Sequence, residues 1–399
     1  MMGELKMSNA ALSDIRVLDL SRLLPGPYCS MTLADLGAEV IKIEEPGIGD
    51  YIRAFPPKLN KEGAIFLALN RNKKSITLDL KKHRGRDIFL ELVKNADVVI
   101  EGFRPGVIDK LGIGYSNLKE RNPQIILCSI SSYGQDGPYA KKAGHDLNFL
   151  SIAGITKLTG TKEGKPIIPG VQIGDIGGGS MLATICILTA IIAREKTGAG
   201  QYIDVSMLDG SFAWLSAYIG KYLVDAKENK PSGEMLSGQF ACYNVYKTKD
   251  DEYMALGAVE PQFWSSFCKA IKREDLIKDQ YATGERAEKL IFEVEKIFLE
   301  NKKVEWINFF KDVDCCCEPV NNFNEAISHP QLLSRNMFVE IDHPTEGRIR
   351  QVNFPGKLSD TPATVRLAPP ALGQHNEEIL QTLGLTKQEI TQLANEKII

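Results

Sequence analysis

Residues 15–43 read IRVLDLSRLLPGPYCSMTLADLGAEVIKI, and the fold turns on them. The apolar run over 15–20 has the length and composition of a buried strand. It breaks at a turn over 21–27 that contains Pro25-Gly26-Pro27, and a helical pattern over 27–36 follows. A second strand-like run starts at residue 39 and ends at 43. Strand, turn, helix and strand in this order form a βαβ unit, whose crossover sets the two strands parallel. The turn holds no GxGxxG, so the usual dinucleotide site is not read there.

The same rhythm continues outward. Residues 75–80 read as extended, 83–95 as a helix, and 96–100 and 124–129 as further strands. Gly177-Gly178-Gly179-Ser180 opens a long apolar helix that runs to about 193, and 202–205 is another strand. Strands alternating with helices predict a parallel sheet covered on both faces, a large doubly wound, Rossmann-like α/β domain over 1–224. A polar stretch over 225–238 reads as a linker. Residues 225–328 are expected to form a smaller α+β domain, with a strand over 253–258 and helices over 262–271 and 286–299. The tail holds extended segments and a final amphipathic helix pair.

Composition narrows the function. A chain of 399 residues is long for one core and suggests two domains. Its 25% charged residues and net charge of −3 give no basic face, which argues against a nucleic-acid partner. The most apolar run, 181–192, is short for a membrane span and reads as a buried helix, so no membrane partner is expected. The first fourteen residues, MMGELKMSNAALSD, lack the apolar centre of a signal peptide, which points to the cytoplasm. Five of the eight cysteines stand alone in apolar stretches. Cys315-Cys316-Cys317 are adjacent, so their side chains diverge, and the five histidines are scattered. No metal site is read from this pattern.

Three polar features interrupt apolar surroundings: Gly144-His145-Asp146-Leu147-Asn148-Phe149, Gly174-Asp175-Ile176-Gly177-Gly178-Gly179, and Gly257-Ala258-Val259-Glu260-Pro261-Gln262. Local pattern alone favours plain roles. Asp175 reads as a helix N-cap, Glu260 as a cap for the helix after it, and His145 as a structural histidine. The three glycines after Asp175 suggest instead a backbone that approaches a ligand closely, with N–H groups free to stabilise an oxygen that gains negative charge.

A series of motifs decides further. VLDLSRLLPGPYCSMTLADLGAEVIKIEEPGIGD, NRNKKSITLDLK, EGFRPGV, LGIGY, GQDGPY and AGHDLNFLSIAGI occur in order. IGDIGGGS, TGAGQYIDVSMLDG, GAVEPQFW, EAISHPQ and LGQHNEEIL follow them. With these the whole chain resembles the class III CoA-transferase (CaiB/BaiF) superfamily, and most closely its α-methylacyl-CoA racemase branch. The branch rests on GHDLNF and GAVEPQF.

The resemblance implies an enzyme acting on acyl-CoA thioesters. In racemase chemistry His145 and Asp175 form a two-base pair that inverts the α-carbon of a 2-methylacyl-CoA, one base removing a proton while the other delivers one to the opposite face. Glu260 holds the histidine. In transferase chemistry, the alternative, Asp175 attacks the thioester and forms a mixed anhydride. CoA is part of the substrate, and no separate cofactor is implied. Its contacts fall on Leu78, Asp79, Leu80 and Lys81, on Gly102, Phe103 and Arg104, and on Lys110. The thioester arm passes Gly144, Asp146, Leu147, Asn148 and Phe149. Glu45 stands where some relatives carry Arg, which removes one phosphate contact. The resemblance also implies that residues 329–399 return to the large domain and that the protein is an interlaced homodimer, in which Glu260 of one subunit approaches the other subunit's site.

Overall fold

The computed structural model describes residues 10–228 and 230–399. Most of the N-terminal stretch read above for a leader, residues 1–9, lies outside the described residues, as does Asn229 in the expected linker. The chain divides into two compact units. One holds the described residues up to Ala153 together with Pro169–Leu215 and Ser334–Ile399, and the other holds Gly154–Ile168 and Ser216–Leu333. The smaller unit therefore begins at Ser216 rather than near 225. It also takes in 154–168, which the sequence reading gave to the large domain. Within this unit Gly160 pairs with Pro166 as an isolated bridge, and a Cβ on Gly160 would lie 3.1 Å from the Pro231 ring.

The larger unit is built on β1 (Arg16–Asp19), β2 (Glu39–Glu44), β3 (Lys73–Thr77), β4 (Val98–Glu101), β5 (Ile126–Ser131) and β6 (Tyr202–Ser206). All neighbours pair in parallel, in the order β3-β2-β1-β4-β5-β6. Both faces are buried, which is why these strands read as near-continuous apolar runs instead of alternating ones. On one face Val17, Val40, Val98, Ile100, Ile126 and Cys128 pack with Cys29 and Leu33 of α1 (Pro25–Asp35). On the other, Leu18, Ile41, Ile76, Val99 and Leu127 meet Ile88, Phe89, Leu92 and Val93 of α2 (His83–Val93). Ile379, Leu380, Leu393 and Ile398 of the C-terminal tail join that second core. Strand order reverses between β1 and β4, and the crevice beyond the carboxyl ends of the strands at this point is where such sheets bind ligands.

A buried charge network fixes the turn that opens this crevice. Asp19, at the end of β1, is fully buried and faces Lys73 Nζ at 3.2 Å; Lys42 Nζ meets Asp50 at 3.2 Å. Burial alone would raise the Asp19 pKa, but Lys42, Lys73 and the hydroxyls of Ser21 and Ser30 together hold it below the usual range. Lys42 Nζ also donates to Ser21 O at 2.8 Å and Lys73 Nζ to Pro27 O at 2.9 Å. Both ends of the turn between β1 and α1 are therefore tied to the sheet.

One sequence expectation is corrected here. A π-helix over Gly174–Met181 joins α4 (Leu182–Thr197) after α3 (Asp146–Ala153) and before α5 (Met207–Ala213). The joined helix, Gly174–Thr197, has 24 residues and contains an 18-residue stretch of mean hydropathy 2.0, long and apolar enough to cross a membrane. The sequence reading started this helix at Gly177 and counted only its apolar centre, and so found it too short. In the structure Ala183, Ile187, Ala190 and Ile191 are buried in the core above the sheet.

The smaller unit carries an antiparallel sheet of β7 (Tyr243–Lys247), β8 (Tyr253–Gly257) and β9 (Cys317–Pro319). Its core is aromatic: Trp264 and Phe267 of α6 (Pro261–Ala270) pack with Phe298, Trp306 and Phe310.

Candidate active site

Asp146, the residue after His145, ties the start of α3 to the backbone that carries Asp175. The Asp146 carboxylate accepts the N–H of Gly174 at 2.8 Å and the N–H of Asp175 at 2.9 Å through the same oxygen, Oδ1. These donors open the π-helix and would otherwise lack partners, as the first N–H groups of any helix do. The first turn of α3 is set by reciprocal bonds: Asn148 N donates to His145 O at 2.7 Å, and His145 N donates to Asn148 Oδ1 at 3.0 Å. The His145 side chain is exposed beside this turn.

Asp175 is half-buried, and its carboxyl is pushed from an ordinary 3.8 to about 7, mainly by burial and then by the Asp146 charge. Near neutral pH such a group populates both protonation states, the condition for giving and taking protons efficiently. The plain N-cap reading of Asp175 is not what the structure shows. Asp175 lies inside the π-helix, whose N-cap position is held by Ile173. Ser180 fastens the other end of this turn, donating to Asp175 O at 3.0 Å and to Pro25 O at 2.7 Å.

The glycines serve packing instead of the open cradle expected from sequence. Gly177, Gly178 and Gly179 are buried. A Cβ on Gly177 would lie 2.2 Å from the Trp214 ring, and one on Gly178 would lie 2.8 Å from Ser211 N. The glycines let α5 touch the π-helix backbone, and Asp146 already holds the amides of Gly174 and Asp175. Phe149, expected along the thioester arm, is fully buried against Gly174 and belongs to the core.

Two cavities of the larger unit open at the carboxyl ends of the strands. One of about 230 Å³ is lined by Leu20, Arg22, Glu45, Leu78, Asp79, Leu80, Lys81 and Phe103, among others. At its rim Glu45 pairs with Lys81 at 2.9 Å and faces Arg22 at 3.6 Å, so the carboxylate already occupies both cations. The second, of about 300 Å³, is lined by Gly102, Phe103, Arg104, Ser131, Lys142, Gly144 and His145, with others. Phe103 borders both. The structure thus groups Leu78–Lys81 with one cavity and Gly102–Arg104 with Gly144 and His145 in the other. Lys110, Asp146, Leu147, Asn148 and Phe149 line neither.

Glu260 lies in the smaller unit, exposed, directly before Pro261 at the start of α6. It occupies the N-cap position, yet its carboxylate makes no capping bond, so the structural role read from sequence is not the one it plays. Its charge reaches the nearby thiol of Cys316, whose pKa burial raises first and which Asp314 and Glu260 raise further. Asp146 was legible only as part of a motif, because its role depends on a chain segment 28 residues away.

The sequence matches CoA-transferase family III over residues 12–376. Succinyl-CoA:glutarate CoA-transferase of Mus musculus is 36% identical over 376 residues, covering 93% of this chain and 86% of that protein. Alpha-methylacyl-CoA racemase of Homo sapiens is 35% identical over 392 residues, covering 98% and 97%. The crystal structure of a CAIB/BAIF family protein from Brucella suis superposes with a TM-score of 0.83 at 32% identity, covering 94% of this chain and 100% of that one. A transferase and a racemase therefore stand at nearly equal identity, and overall similarity does not choose between the two activities.

Proposed function

The chain belongs to CoA-transferase family III, and on that premise we propose that it inverts the α-carbon of a 2-methylacyl-CoA by proton transfer between His145 and Asp175. The observation that carries this reading is the Asp175 carboxyl at about 7, tied through Asp146 to the turn that presents His145. A carboxylic acid that serves as a nucleophile must be ionised when substrate arrives. A proton-exchanging pair instead needs one member protonated and the other not. For one enantiomer His145 takes the α-proton and neutral Asp175 delivers one from the other side; for the opposite enantiomer the roles reverse.

The enolate oxygen needs donors, and the amides of Gly174 and Asp175 are taken by Asp146. We assign that oxygen to the N–H groups of Asp146 and Leu147, which open α3 beside His145, ahead of the amides of Asn148 and Phe149 that donate to His145 O. Glu260 is assigned the role of favouring imidazolium at His145, on the strength of the GAVEPQF motif. Arg104, exposed at the mouth of the His145 cavity, suits the phosphates of CoA, while Leu78–Lys81 line the neighbouring cavity. The reading needs no metal and no redox cofactor. It takes the protein to be a cytoplasmic, interlaced homodimer.

The second reading, CoA transfer through an Asp175 mixed anhydride, draws support from the 36% identity to the glutarate transferase. Incubation with a 2-methylacyl-CoA in deuterated water, with and without an acceptor acid, separates the two. Solvent deuterium at the α-carbon, lost in His145→Ala, is the expected result. CoA appearing on the acceptor without α-exchange would replace the racemase reading with the transferase one.

A further inference from the structure

Ser131 closes β5 at the carboxyl edge of the sheet and is 7% exposed. Among the described residues its hydroxyl has no hydrogen-bond partner in the protein. The next residue shows the ordinary pattern: Ser132 Oγ donates to Gly144 O at 3.1 Å. Buried hydroxyls are paired as a rule, because leaving one unpaired costs stability, and an exception calls for a partner from outside the chain. Ser131 lines the cavity of about 300 Å³ that also holds Gly102, Arg104, Gly144 and His145.

We propose that Ser131 is a substrate-binding residue, its hydroxyl exchanging hydrogen bonds with an amide of the thiol-bearing arm of the ligand. The inference rests on the acyl-CoA reading above. The cavity divides by chemistry. Its cations, Arg104 and Lys142, are exposed and suit phosphate, whereas Ser131 sits among Ile130, Gly102 and Phe103 with no charge of its own to offer. A hydroxyl both donates and accepts, so it complements the C=O and N–H of an amide. The carboxyl end of β5 therefore holds the arm while His145, on the same cavity wall, meets the acyl end.

The test is Ser131→Ala, read in two ways. Without ligand, the variant should unfold at the same temperature as the wild type or slightly higher, because it loses an unpaired polar group rather than a bond. With a 2-methylacyl-CoA, its KM should rise about three- to tenfold with kcat little changed. With the S-ethyl thioester of the same acid, which has no arm amide, kcat/KM should equal that of the wild type. Ser131→Thr, which keeps the hydroxyl, should restore the KM. A drop of several degrees in the unliganded melting temperature would reveal an internal partner and overturn the proposal. So would an unchanged KM for the CoA thioester in a wild type that binds it. A wild type that binds no CoA thioester would instead overturn the acyl-CoA reading itself, and this proposal with it.

Discussion

Asp175 is a residue whose suitability for chemistry works against stability. Its carboxyl rises from 3.8 to about 7 in the folded chain, by burial first and by Asp146 second. A carboxyl with a raised folded pKa binds its proton more tightly when folded. Folding is therefore penalised as pH climbs past the unfolded value near 4, and the penalty is complete above about 7. Three units correspond to roughly 4 kcal/mol, an upper bound because water screens part of the group. Asp175→Asn keeps the shape and removes the ionisation. The variant should melt higher than the wild type at pH 8, and the gap should close as pH falls toward 4. Equal gaps at pH 5 and pH 8 would show that the raised pKa is not what destabilises the site. Asp146→Asn, which retains the acceptor for both amides, should move the Asp175 limb of the pH–rate profile to lower pH. A limb that stays in place would take Asp146 out of the control of Asp175.

At the scale of elements, the contact between the π-helix and α5 decides where Asp175 points. A Cβ on Gly210 would lie 2.2 Å from Gly178 O, a backbone atom that cannot step aside as a side chain could. Gly210→Ala should therefore cost about 2 kcal/mol or more and reduce proton exchange further than the stability loss alone explains. Thermal unfolding and exchange rates on the same preparation check this; a stable and fully active variant would mean the two helices separate freely. This contact also shows where sequence reading stops. The βαβ units were legible because both faces of the sheet are buried, which writes apolar runs such as 39–43 and 96–100 directly into the sequence. The glycines after Asp175 were ambiguous, since a glycine spared for a ligand and one spared for a neighbouring backbone look the same in one dimension. Only Trp214, Ser211 and Met207, which fill the space beside them, resolve the matter.

For the whole molecule, the division of labour between units carries the last prediction. The parallel, helix-covered sheet follows from local pattern, its strand order comes from the structure alone, and the C-terminal return was implied by the family resemblance. The inclusion of 154–168 in the smaller unit follows from neither pattern nor resemblance, because that segment is claimed by contacts with residues far along the chain such as Pro231. Asp175 and Glu260 belong to different units. If both serve proton exchange, each must be intact for a working site, but they need not come from the same chain. Asp175→Ala and Glu260→Ala should each be nearly inactive as pure proteins. When the two are mixed under conditions that exchange subunits, an assembly that pairs Asp175 of one chain with Glu260 of another regains one whole site per heterodimer. Random mixing at equal amounts makes half of the dimers mixed, so activity should recover to about a quarter of the wild-type value per site. An assembly that builds each site from one chain recovers nothing, whatever the mixing. Glu260→Gln separates charge from bulk in the same experiment. If Glu260 acts through its charge on His145, this variant should remain assembled and slow exchange. An assembled Glu260→Gln variant that exchanges at the wild-type rate, beside an inactive Glu260→Ala, would make Glu260 a shape-filling residue of the smaller unit and leave His145 and Asp175 to exchange protons without its charge.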